Sequence, residues 1–185
     1  VDVNEMGCDL LSATGRKYLR GPRGSGFLYV RRAVLDRLEP PFLDNHAANW
    51  TAPEKYELRQ DARRFENWEN NYAAQLGLGA AVDYLNGLGQ AAVAERVLAL
   101  NMYLTSRLQR RDFEVLSPGG DHRSGETLVA LSDPKAACRA LADRNVFVTE
   151  KPEGLRVATH FYNNERDIDA CVEALIAYRS GSSDG

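Results

Sequence analysis

One periodic stripe constrains this chain more than any other feature. Val93, Val97, Leu100, Leu104 and Leu108 recur at helical spacing, which predicts a long amphipathic helix running to Arg110 with one face on a core. A second stripe, Ile168, Val172, Leu175 and Ile176, predicts a closing helix with Asn163 or Asn164 as its N-cap. Between the two lie short runs separated by turn signals: a strand "FEVL", a turn "SPGGDHRSG", a strand "TLVALS", a helix from Pro134 to Asp143, and strands "NVFVT" and "LRVATHF". Strands alternating with helices over about 95 residues predict a compact α/β or α+β unit.

Upstream of this unit the pattern is looser. "GFLYVRR", from Gly26 to Arg32, reads as a strand, and a short helix from Val34 to Leu38 is stopped by Pro40 and Pro41. From Phe42 to Arg64 the chain reads as a long irregular loop, expected to carry a site or a contact. Leu76, Ala80 and Leu85 predict a buried helix over Asn71 to Leu85, closely packed through the small residues of "GLGAA" and ended by "NGLG". The boundary falls near Gly89, giving expected domains 1–88 and 89–185, with "SGSSDG" as a flexible tail. Val1 is not methionine, and the first residues read as the continuation of folded structure, so a piece of a longer protein is expected.

Composition mainly excludes. A net charge of -3 offers no global field toward nucleic acid or an anionic membrane, so any basic function is local. Cys8, Cys138 and Cys171 lack CxxC spacing, which argues against a disulfide framework or a zinc site and fits a reducing cytoplasm. Neither a spanning apolar run nor a signal peptide is expected.

The local basic function has an obvious seat. "SATGRKYLRGPRGSGFLYV" crowds Arg16, Lys17, Arg20 and Arg23 among Gly15, Gly21, Gly24 and Gly26, then becomes a strand. The glycines of "GPRGSG" are spaced GxxGxG and open a strand, so the dinucleotide fingerprint fails in order and context. A phosphate-binding P-loop fails because Lys17 precedes the glycines. A nucleic-acid patch stays open, since Arg31 and Arg32 extend the basic cluster. So does lysine chemistry. A free amine with a pKa of about 10.4 is rarely neutral at pH 7, but neighbouring arginines lower that value and, with glycine N–H groups, hold an anion. A lysine that forms an imine beside an anion site is what pyridoxal phosphate chemistry requires. The plainer reading is an exposed basic turn.

The longer stretch "CDLLSATGRKYLRGPRGSGFLYV" resembles the cofactor-lysine segment of class V aminotransferase-like enzymes, the fold type I pyridoxal phosphate group that includes cysteine desulfurases. The likeness continues in order at "ARRFENWENN", "GLGAAVDYL", "HRSG" and "LRVATHFYNNERDID". It implies the end of a large cofactor-binding domain followed by a small C-terminal α/β domain. It implies pyridoxal 5'-phosphate as cofactor, a small amino-acid substrate and a homodimer, with the Phe42 to Arg64 arm a candidate for crossing between subunits. Lys17 matches the Schiff-base lysine and proton shuttle. Arg156 matches the arginine that clamps the substrate carboxylate, and strand alternation puts Arg156, Ala158 and His160 on one face. Arg16, where many relatives have histidine, is read as a phosphate or charge partner. His122 and His160 are read as polar structural residues.

Three departures shape the expectation. Desulfurases carry a nucleophilic cysteine shortly before the clamping arginine, whereas 143–156 contains none and Cys138 falls on a predicted helix as a small buried hydrophobe. A desulfurase is therefore disfavoured, and "GRKYLRGPRG" and "RRFENWE" look closer to the epimerase-like and sulfoxide lyase branch. Trp68 and Glu69 stand where some relatives have a glycine-threonine pair that reaches the partner's phosphate. The family's pyridine-pairing aspartate precedes the lysine by more than this chain holds, so these residues alone are expected to be inactive. Transamination, epimerisation and carbon-sulfur lysis stay open, as does a non-catalytic dimerisation or ligand-binding module of the same ancestry.

Overall fold

The computed structural model describes residues 2–181, in two compact units, the first ending at Gly87 and the second beginning at Leu88. In the first, β1 (Leu10–Thr14) and β2 (Gly26–Val30) make an antiparallel hairpin pairing Leu11 with Tyr29 and Ala13 with Phe27. β1 has no counterpart in the sequence reading, because Leu11 and Ala13 are only half-buried and mark little alternation. A short helix α1 (Arg32–Leu35) follows, two residues earlier than expected. The expected irregular segment from Phe42 instead contains a second antiparallel hairpin, β3 (Ala48–Ala52) and β4 (Lys55–Leu58), turning through a left-handed Glu54. Most of its side chains are exposed, so no buried face imposes the apolar alternation by which a strand is recognised.

A 3-10 turn (Ala62–Phe65) places Arg64 under α1. The buried Arg64 donates from Nε to the Arg59 carbonyl at 2.7 Å and from Nη1 to the Leu35 and Leu38 carbonyls at 3.1 and 3.2 Å. It thereby adds a second donor to the Leu35 carbonyl, which already accepts the Leu38 N–H, and a donor to the Leu38 carbonyl beyond the helix. Helix α2 (Tyr72–Leu88) is capped by the Asn71 side chain, which accepts the Ala74 N–H. The helix lies where expected, but its expected burial does not: Ala74 alone is buried and Leu76 is 77% exposed. Within this unit α2 meets the glycine-rich loop, where Pro22 abuts Gly77, and such a loop covers only one side of a helix whose apolar residues run round it.

The second unit is a two-layer α+β fold. Helices α3 (Gln90–Gln109), α4 (Pro134–Ala142) and α5 (Glu165–Gly181) cover one face of an antiparallel sheet of β5 (Glu126–Ala130), β7 (Gly154–Ala158) and β6 (Thr149–Lys151), in the order β5-β7-β6. Leu100, Leu104 and Leu108 of the first stripe and Ile168, Val172 and Leu175 of the second are buried against Val129, Leu155 and Val157; Val93 and Ile176 sit half-buried at the edges. Asp133 and Asn164 cap α4 and α5 by accepting backbone N–H groups of the first turn. Close approach of β5 and β7 requires glycine at 154, since a Cβ there would lie 1.9 Å from the Val129 carbonyl oxygen.

Two expected strands are shorter than their patterns. "FEVL" contributes a single bridge, Val115 to Val129. In "NVFVT" the left-handed Asn145 and the Val146 N–H, bonded to the Leu141 carbonyl, close α4, so pairing begins only at Thr149, opposite Arg156.

Candidate active site

The lysine loop joins β1 to β2. The Gly15 N–H donates to the Ser25 carbonyl at 2.8 Å and the Gly21 N–H to the Gly15 carbonyl at 2.7 Å, closing the neck. A Cβ on Gly15 would lie 2.6 Å from Leu78 Cδ1 and 2.7 Å from Ser25 Oγ, so a side chain there would require both of these side chains to shift. Above the neck the chain turns from Lys17 to Arg20, with the Arg20 N–H on the Lys17 carbonyl at 2.8 Å. Arg20 takes a left-handed conformation and lays its guanidinium 5.0 Å from the centre of the Tyr84 ring. Arg16 and Lys17 both point out of this turn, exposed, and neither makes an ion pair or a side-chain hydrogen bond among the described residues. An uncommitted primary amine beside a cation fits an aldehyde cofactor bearing an anionic group.

Not all of the expected basic cluster is available. Arg31 Nε pairs with Asp9 at 3.0 Å and Arg31 Nη2 donates to the Cys8 carbonyl at 2.9 Å, which commits it to the hairpin.

Arg156 lies in the second unit, in the central strand β7. Leu155 and Val157 turn into the core while Arg156 and Ala158 face outward, as period-two alternation requires. Glu126 Oε1 stands 3.6 Å from Arg156 Nη1, and Arg156 Nη2 lies 3.4 Å from Thr149 Oγ1. Arg156 Nε is covered and has no hydrogen-bond partner among the described residues. His160 lies beyond the strand, its ring stacked 4.3 Å from Tyr162 and its N–H donating to Asn163 Oδ1, and His122 is exposed in a 3-10 turn (Gly120–His122).

Several groupings escaped the sequence reading. Asp44 Oδ2 accepts the Trp68 N–H at 2.7 Å while Oδ1 accepts those of His46 and Ala47. These bonds, the Trp68 one foremost, hold the Asp44 carboxyl below its ordinary value against an opposing desolvation. His46 Nε2 and Arg63 Nε both meet Glu66 Oε2, at 3.0 and 3.2 Å. In the second unit the buried Asn101 donates to Thr127 Oγ1 at 2.8 Å and accepts from Arg123 Nη1 at 2.9 Å, and Arg123 Nη1 also reaches Thr105 Oγ1 at 3.0 Å. A lone buried asparagine on a leucine stripe was the only signal for this network.

Cys138 on α4 is half-buried, its thiol pushed up by burial and then by Glu150, and burial pushes Cys171 up to about 11. Among the described residues no group of three or more His, Cys, Asp or Glu is placed to hold a metal ion, and no helix is long and apolar enough to cross a membrane.

The family model for class-V aminotransferases matches residues 1–174. An uncharacterised aminotransferase of Bacillus subtilis is 28% identical over 96% of this chain and 47% of its own length. The isopenicillin N epimerase of Amycolatopsis lactamdurans is 30% identical over 95% and 48%. The apo cysteine desulfurase of Thermococcus onnurineus superposes with a TM-score of 0.88 at 22% identity, over 97% of this chain and 49% of that one. The chain therefore spans about half the length of the curated relatives it matches. With the lysine loop, the outward arginine strand and the family match all in one chain, it belongs to the class-V aminotransferase family, whose fold is fold type I and whose cofactor is pyridoxal 5'-phosphate.

Proposed function

We propose that this chain is the carboxy-terminal portion of a pyridoxal phosphate enzyme acting on a small amino acid by transamination, epimerisation or carbon-sulfur lysis. The observation that carries the reading is Lys17, an exposed and uncommitted amine on a glycine-closed turn inside the stretch that the family model matches. The cofactor, when bound, supplies a carbonyl for imine exchange and a ring that withdraws electrons from the substrate's α-carbon.

Lys17 Nζ holds the cofactor and moves the substrate α-proton; it is both tether and base. Arg16 offers its guanidinium to the phosphate. Arg156 receives the substrate carboxylate, and its fixed place in the central strand sets the orientation of the α-carbon. The Phe42 to Arg64 arm, with Phe42 and Trp50 77% and 83% exposed, supports the homodimer reading, in which this arm crosses to the second subunit.

Two features favour the epimerase-like and lyase-like branch over a desulfurase: the absence of cysteine in 143–156 and the half-buried Cys138 thiol with its raised pKa. The second reading, a non-catalytic module of the same ancestry, is favoured by the large apolar exposure of α2, which suits a surface kept for association.

One experiment separates them. The protein encoded by the whole gene is incubated with pyridoxal phosphate, reduced with borohydride and mapped by mass spectrometry. The enzyme reading expects a new absorbance band before reduction and the label on Lys17 after it. A whole-length protein with no specific label excludes Lys17 as the cofactor lysine. Salt-dependent binding of RNA, weakened by both Lys17→Ala and Arg23→Ala, would instead support the basic patch.

A further inference from the structure

The outward face of the second unit's sheet holds Arg156 between Leu128 on β5 and Thr149 on β6, its directly opposed neighbours. Glu126 lies two residues along β5 from Leu128, on the same face, which makes it the diagonal neighbour of Arg156. Their separation of 3.6 Å is within ion-pair range but too long for a hydrogen bond. Thr149 Oγ1 is a distant acceptor at 3.4 Å, and the covered Nε is bonded to nothing among the described residues. A strong arginine–carboxylate pair is frequently bidentate, through two parallel N–H groups. Arg156 is different: its charge is balanced, but its fork is not used.

We infer that Glu126 is a positioning residue that holds Arg156 in the absence of substrate and competes with the incoming carboxylate for it. The inference rests on the reading of Arg156 as the carboxylate clamp. Glu126 balances the guanidinium charge and aims the side chain across the strand, without occupying the donor pair that a planar carboxylate needs. A bound carboxylate replaces a long ion pair by a bidentate one, and Glu126 swings toward solvent, to which it is already half open. Glu126 therefore lowers the affinity of the clamp for any monocarboxylate and keeps an exposed cation neutralised between turnovers. An exposed pair of this kind contributes modestly, enough to change carboxylate affinity by about 1.5- to 5-fold.

The test is a titration of the ¹⁵N-labelled chain with sodium acetate at constant ionic strength, sodium chloride making up the balance. It is followed by the cross-peaks of Arg156 Nε–H and of the Thr149 and Ala158 amides. Glu126→Gln is expected to lower the acetate midpoint by about 1.5- to 5-fold, Glu126→Asp to keep the parent midpoint, and Arg156→Gln to abolish the saturable shifts. An unchanged or raised midpoint in Glu126→Gln, with Arg156→Gln still abolishing the shifts, overturns the role of Glu126 and leaves the clamp standing. Saturable shifts that survive in Arg156→Gln overturn the clamp, and the inference falls with it. A fold-stabilising role alone would change the melting temperature of Glu126→Gln without tightening acetate binding, and so counts against the inference.

Discussion

Replacing Asn101 with alanine removes a buried polar side chain that α3 sends into the core of the second unit. Asn101 is 2% exposed, and its amide joins Thr127 on β5 to Arg123 on the turn before it. The bond to Thr127 is neutral and contributes about 1 kcal/mol; the bond from the guanidinium is charge-assisted and contributes about 1.5–3 kcal/mol. Arg123 keeps Thr105 Oγ1 as an acceptor, so its charge is not fully stranded, and the lost side chain leaves a small void. The expected loss is therefore about 3 kcal/mol, within the range of a buried leucine truncated to alanine. Urea unfolding followed by circular dichroism at 222 nm, dominated by the second unit's helices, measures it, provided the m-value is unchanged. A loss under about 1 kcal/mol, or strict additivity with Arg123→Met in a double-mutant cycle, would refute the claim that these side chains act as one network.

Two further outcomes follow from titratable groups. The Asp44 carboxyl has its folded pKa held below the ordinary 3.8, so its stabilising contribution is complete above that value and is lost as pH falls through the lower folded value. An acid titration of the first unit, read by fluorescence of Trp50 and Trp68, is expected to show a loss of stability below about pH 4 that Asp44→Asn flattens; parallel curves would contradict it. Cys171 is buried, with its thiol pushed up to about 11, so iodoacetamide at pH 8 is expected to label it only after urea unfolding, and labelling of the native chain would show that this part of the core opens.

The leucine and isoleucine stripes determined α3 and α5 by themselves, because a face that must be buried repeats at the pitch of the helix that buries it. The cap of the closing helix was narrowed to Asn163 or Asn164 for the same local reason, and it is Asn164 that satisfies donors two and three residues away. The lysine loop was legible through its glycines, and the outward placement of Arg156 through alternation along β7. Elements without a buried face were not: β1 and the β3–β4 hairpin place few side chains in a core, so nothing selects an apolar alternation there. The burial expected of α2 failed because composition reports what a helix is suited to touch, and only the packed unit decides what covers it. Glu126 beside Arg156 and Asn101 beside Arg123 are separated by 30 and 22 residues in sequence. Those encounters are set by the antiparallel register of β5 on β7 and by the seat of α3 on the sheet, and they exist only once the core has closed.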